Sequence, residues 1–137
     1  MHMEDLLEHA HAMGLRVLRR DLGRRNGQVH SSGLIIINPH RSLGAQRETL
    51  AHEIGHHVHG HDWTAARHDK AADERAADTY AARLLISPAE YAIAERICGP
   101  NVRALARELN VSMLLVELWQ ASYQAERFER VRALRMA

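Results

Sequence analysis

Leu50-Ala51-His52-Glu53-Ile54-Gly55-His56-His57-Val58 contains the pattern H-E-x-x-H, from His52 to His56. Its reading as helix or loop decides the fold around it. In a helix the two imidazoles stand one turn apart on the same face, where both reach a single metal ion. Glu53 then lies beside them without being a ligand. A carboxylate there can take a proton from a water whose pKa a bound zinc ion lowers to about 7. Eleven histidines in 137 residues make a chance match easier than usual. A solvated histidine-rich helix is the plain alternative, and the flanking sequence has to decide.

Those flanks predict a helix. Ser42 is placed to cap a helix running through Arg47 and Leu50 to about His59. Leu50, Ile54 and Val58 recur at i, i+4 and i+8, giving it an apolar stripe. Gly55 weakens a helix interior by up to about 1 kcal/mol. Its position next to His56 therefore predicts the close approach of another backbone. His57, His59 and His61 do not converge with His52 and His56 and are expected on a solvated face or at the helix end. A metzincin-type third ligand fails, because His59 and Asp62 stand where that signature needs glycine and a ligand, with Gly60 displaced by one.

The next helix offers a better third ligand. From Lys70 to Ile86 the chain is alanine-rich, with no Gly or Pro before Ser87-Pro88, so helix propensity is high. Glu74, Ala77, Asp78 and Ala81 share one face of it. Small alanines let this helix approach the motif helix, where Glu74 can complete a His, His, Glu set. Asp78, one turn on, can accept the free N–H of a liganding imidazole, that of His52 first, and so fix its tautomer. The alternative is that Asp73, Glu74 and Arg75 are ordinary solvated charges.

Upstream, the pattern changes from helix to sheet. Leu6, Leu7, Ala10 and Met13 fall at helical spacing and Gly14 follows as a C-cap. Leu15 and Val17, extending toward Leu22, mark a first strand. Gly23 to Gly27 has turn chemistry, Gln28 to His30 is strand-like, and Ser31 to Gly33 forms another turn. Leu34 to Ile37 is a β-branched run that Asn38-Pro39 ends. Short loops predict a small antiparallel sheet of about three strands. The expected class is α+β: that sheet, then a zincin-like helical part with C-terminal helices. A single domain over 1–137 is expected, with the first helix and strands in 1–40, the metal-site helices in 41–98 and helix-turn-helix-like helices in 99–137.

Composition narrows the function classes. A formal charge of +1 gives no general pull toward nucleic acid or acidic membranes. Cys98 is the only cysteine, so no intrachain disulfide forms and a reducing compartment is expected; Cys98 itself reads as a small, partly buried side chain. Met1 to Met13 lacks the basic start and apolar run of a signal peptide. No stretch approaches the roughly 20 apolar residues of a membrane span. A cytoplasmic protein is expected.

Taken in order, Arg47 to His56, Glu74-Arg75-Ala76-Ala77-Asp78 and Ala81 to Pro88 resemble the ImmA/IrrE family of metallopeptidases. That family shows a strand ending in Ile-Asn, matched by Leu34 to Asn38, a T-L-A-H-E-L-G-H helix and an E-x-x-A-N/D helix leading into A-x-L-L-M-P. Ile54, Ile86 and Ser87 depart from its commonest residues, and none is expected to touch the metal. The similarity spans roughly Leu15 to Pro88. It implies zinc ligands His52, His56 and Glu74, with Glu53 as general base, and hydrolysis of a peptide bond. It also implies a protein substrate, a helix-turn-helix transcriptional repressor. An additional donor to the oxyanion is expected, for which His68, Tyr80 and Tyr91 are candidates. The Leu34 to Ile37 strand offers a possible edge for an extended substrate.

The tail from Asn101 to Trp119 fits a helix-turn-helix pattern, with Asn110 at the turn. Met113 to Trp119 provides no Arg, Lys, Asn or Gln to read bases, so packing is expected there and direct nucleic-acid binding is not. Arg127, Arg130, Arg132 and Arg135, with Glu126 and Glu129 among them, read as a solvated terminal helix. The two readings in play are a zinc endopeptidase and a non-catalytic partner-binding or anti-repressor module of the same fold.

Overall fold

A computed structural model describes residues 1–60 and 70–136. Its elements run α1 (Met3–Ala12), β1 (Arg16–Arg19), β2 (Gly27–Val29), β3 (Leu34–Ile37), α2 (Leu43–Val58), α3 (Lys70–Leu85), α4 (Pro88–Cys98), α5 (Val102–Leu109) and α6 (Met113–Met136). The class is α+β, a three-stranded sheet followed by helices, in the order the sequence predicts. Leu22 lies beyond the end of β1.

The sheet is mixed and not wholly antiparallel. Its order is β1-β3-β2, with β1 parallel to β3 and β2 antiparallel to it. A four-residue turn over 30–33 makes β2 and β3 a hairpin. The seven-residue link over 20–26, however, is long enough to carry the chain past one strand position, so β3 returns between its predecessors. Hence β3 is the central strand and offers no free edge to a substrate; among the described residues the edge on the α2 side is β2. The unbroken Leu34-Ile35-Ile36-Ile37 run fits that position, since a strand covered on both faces has no polar alternation. Ile35 and Ile37 are fully buried and Ile36 nearly so.

Helix α2 begins where Ser42 Oγ accepts from the Ala45 N–H, 3.1 Å away. Leu50 and Ile54 are fully buried against Ile35, Ile37, Ala81 and Leu85. Burying such side chains stabilises by about 1.5–3 kcal/mol each. Val58, the third residue of the expected stripe, is 45 % exposed in the last turn of α2. At Gly55 a Cβ would stand 2.9 Å from Ala77 O and 3.0 Å from Ala77 Cα. The missing side chain therefore lets α3 lie directly on α2.

The C-terminal helices pack as expected. Ser87 and Glu90 form a reciprocal capping box at the start of α4, with Pro88 in the first turn, satisfying donors that the helix cannot. Asn110 takes the left-handed conformation, φ 54°, that ends α5, a position glycine or asparagine favours. Leu115, Val116 and Trp119 of α6 are buried. Trp119 stacks between Tyr91 and Tyr123, with ring centroids 4.1 and 4.8 Å away, and donates its indole N–H to Ile86 O at 2.9 Å. Cys98 is partly buried. Arg127, Arg130, Arg132 and Arg135 are exposed. No helix among the described residues is long and apolar enough to cross a membrane.

Candidate metal centre

Helices α2 and α3 carry the site, and Gly55 against Ala77 sets their separation. One turn before Ala77, Glu74 reaches the two imidazoles that α2 presents. The two Glu74 carboxylate oxygens lie 3.0 Å from His52 Nε2 and 3.0 Å from His56 Nε2. The two Nε2 atoms are themselves 3.0 Å apart. One ligand atom from each residue thus lies within 4.8 Å of the others. Asp78 Oδ1 is 2.7 Å from His52 Nδ1.

These contacts test whether the residues fit a metal ion. An ionised carboxylate only accepts hydrogen bonds, so the bond to Asp78 puts the His52 proton on Nδ1 and leaves Nε2 a lone pair. Around His52 Nε2 stand the Glu74 carboxylate and His56 Nε2, each 3.0 Å away, a set of donor atoms that one cation can take together. The spacing agrees. Tetrahedral zinc with ligands at 2.0–2.1 Å places them about 3.3 Å from one another, close to the 3.0 Å separations found here. His56 is 1 % exposed, while Glu74 is 41 % exposed and opens the site to the cleft.

The electrostatics follow from burial. Burial opposes charge on His52, but the hydrogen bond and charge of Asp78, with Glu53 and Glu74, outweigh it and raise the pKa above the ordinary histidine value. Glu53 is 8 % exposed and makes no hydrogen bond or ion pair with another described residue. Burial pushes its carboxyl up to about 7, with His52 pulling it down and Glu74 pushing it up. Such a group, poised near neutrality in a cleft, suits proton transfer.

A cavity of about 450 Å³ opens over the cluster. Its wall includes His52, Glu53, His56 and Glu74 from the helices, and Gly27, Val29 and His30 from the strand side. Gly27 is a second close contact: a Cβ there would meet Thr49 Cγ2 at 2.5 Å and Glu53 Cγ at 3.5 Å. The Asn26-Gly27 pair signals only a turn in the sequence, and no local pattern announces this approach to α2. Asn38, a strand breaker by sequence, is buried and donates through Nδ2 to Gly23 O and Arg25 O, at 3.1 and 3.0 Å. It thereby fixes the loop that leads into β2.

The other expected residues are placed as follows. His57 and His59 are exposed, with His59 edge-on to Tyr80 at 6.3 Å. Neither Tyr80 nor Tyr91 lines the cavity over the cluster; Tyr91 is committed to the Trp119 stack and accepts from Gln120 at 2.7 Å. His61, Asp62 and His68 lie outside the described residues.

The paired helices bring together a His, His, Glu cluster that could hold a metal ion, and comparison with known families points to a metallopeptidase-type domain. Residues 10–118 match the peptidase M78 family, described as the IrrE N-terminal-like domain. The chain belongs to that family. A comparison with curated proteins finds no match.

Proposed function

We propose that this protein is a cytoplasmic zinc-dependent endopeptidase that hydrolyses a peptide bond in a protein substrate, a helix-turn-helix transcriptional repressor. The observation that carries the reading is Glu53, a buried carboxylate next to the converging His52, His56 and Glu74 and open to the same cleft. Family membership supports the reaction type, and the resemblance to ImmA/IrrE proteins supports the repressor. The lone Cys98 fits a reducing compartment.

His52, His56 and Glu74 would hold the ion, with Asp78 orienting His52. Zinc bound there supplies an acidified water and polarises the scissile carbonyl. Glu53 accepts the proton of the attacking water and returns it to the leaving amine. The edge of β2 orients the substrate. His30 N–H donates to Leu34 O and Asn38 N–H to Asn26 O, each at 2.8 Å. Because hydrogen-bonded pairs alternate in an antiparallel ladder, Gly27 and Val29 turn their N–H and C=O groups away from β3. An extended peptide can pair with them beside Glu53.

The test separates catalysis from partner binding. Glu53→Gln is expected to retain zinc and to lose cleavage of a co-expressed repressor by at least about a hundredfold. If this variant derepresses the target as well as the wild type does, the non-catalytic anti-repressor reading replaces the protease. Undiminished zinc in both His56→Ala and Glu74→Ala would remove the ligand set.

A further inference from the structure

The cleft over the cluster carries charge that hydrolysis does not use. Glu53 and Glu74 are committed to the proposed chemistry. The other fully charged side chains lining the cavity among the described residues are both cationic, Arg25 and Lys70, with His30 beside them. No ion pair occupies Arg25 or Lys70 among those residues.

Their positions are built into the fold. Arg25 rides on the loop before β2, where Asn38 holds its carbonyl and Arg41 Nη2 donates to Gly23 O at 3.0 Å. Lys70 opens α3, one turn before Glu74. One cation therefore stands on the strand wall and the other on the helix wall. Beyond His52 and Glu74, a neighbouring pocket of about 270 Å³ is lined instead by Asn26, Thr49, Glu48 and Asp78. The lining changes from cationic to acidic across the metal-site residues.

We propose that the Arg25–Lys70 side of the cleft is a specificity subsite for an acidic side chain, so that the substrate carries Asp or Glu within about two residues of its scissile bond. The proposal rests on the hydrolytic reading and names its substrate class. A cavity of 450 Å³ is roughly 9–10 Å across if taken as compact, and an extended chain advances about 3.3–3.4 Å per residue. A bond held over the cluster therefore brings side chains within about two residues to the rim. A carboxylate there gains charge-assisted hydrogen bonds from guanidinium and ammonium groups, whereas the acidic pocket repels it.

The experiment uses the full zinc-loaded chain and short peptides in which a single Glu is moved along an uncharged frame, each paired with its Gln counterpart. Binding is measured on the Glu53→Gln variant and cleavage on the wild type. With Glu on the correct side, binding about tenfold tighter than the Gln peptide is expected. Arg25→Ser and Lys70→Ser each reduce that preference, and Arg25→Glu with Lys70→Glu reverses it toward a Lys peptide. Equal binding of Glu and Gln peptides at every position, or no binding of any peptide, overturns the subsite. Selective binding without cleavage by the wild type leaves the subsite standing and refutes the protease.

Discussion

Gly55→Ala places opposing effects in direct competition. Alanine is favoured over glycine in a helix interior by about 1 kcal/mol, so a loosely packed α2 would be stabilised. Here the new Cβ would stand 2.9 Å from Ala77 O and 3.0 Å from Ala77 Cα, both backbone atoms that cannot rotate away. Reaching an ordinary contact of 3.4 Å requires α3 to withdraw by about half an ångström. Overpacking of that kind costs about 1–3 kcal/mol, and two backbone contacts place it toward the upper end. A net loss of about 1–2 kcal/mol is expected, read as a lower urea midpoint with unchanged slope. The same withdrawal carries Glu74 away from His52 and His56, so zinc affinity, measured by chelator competition, should fall at least about tenfold, as when a ligand's support is disturbed. If Gly55→Ala is as stable as the wild type or more so, with zinc affinity unchanged, the helix contact does not set the site.

Asp78→Asn removes the carboxylate that holds the His52 tautomer and should weaken zinc binding about 10- to 100-fold while leaving the fold intact by circular dichroism; undiminished affinity would refute its orienting role. Gly27→Val, whose side chain would collide with Thr49, should lift β2 and lower kcat/KM for extended peptides while zinc affinity stays within about twofold; equal loss of zinc would show that the strand supports the metal site as well. In protein stripped of metal by chelator, Glu53 is penalised as an anion. Its carboxyl is raised from 4.5 to about 7, so the fold loses no stability through it below pH 4.5 and carries the whole penalty above pH 7, roughly 3 kcal/mol. Stripped Glu53→Gln should therefore gain stability over the wild type as pH rises between these values, and a flat difference across urea titrations would show that Glu53 is solvated.

The parts of the site written in helical spacing were legible in the sequence. His52 and His56 share a face whatever the tertiary structure, and so do Glu74, Ala77, Asp78 and Ala81. Gly55 was readable because a glycine inside a good helix needs a reason, which Ala77 supplies. Strand order was harder, because a link of seven residues permits either a hairpin or a passage beyond the neighbour. The apolar continuity of Leu34 to Ile37 was nonetheless a sign of a central strand, and the short, polar Gly27-Gln28-Val29 segment has the character of an edge. Arg25 and Lys70 stand 45 residues apart in the chain, and no local pattern links them. Only the fold brings both to the lining of one cleft.

Helix α2 is the common rail for all these parts. At about 100° per residue, four faces follow one another around it. Leu50 and Ile54 face the core, Thr49 and Glu53 meet β2, His52 and His56 face the cluster, and Gly55 meets α3. Glu53 therefore falls between the strand that would hold a substrate and the imidazoles that would hold an ion. Glycine acts on both flanks of this arrangement, Gly27 bringing the strand onto α2 and Gly55 bringing Glu74 toward the histidines. Enlarging the first should disturb substrate placement, and enlarging the second metal affinity. Since the two contacts lie on different faces of one helix and share no side chain, the double variant Gly27→Val/Gly55→Ala should show additive losses of stability, within about 0.5 kcal/mol. A larger coupling would mean that α2 itself shifts between the two walls, making the width of the cleft and the geometry of the cluster one property.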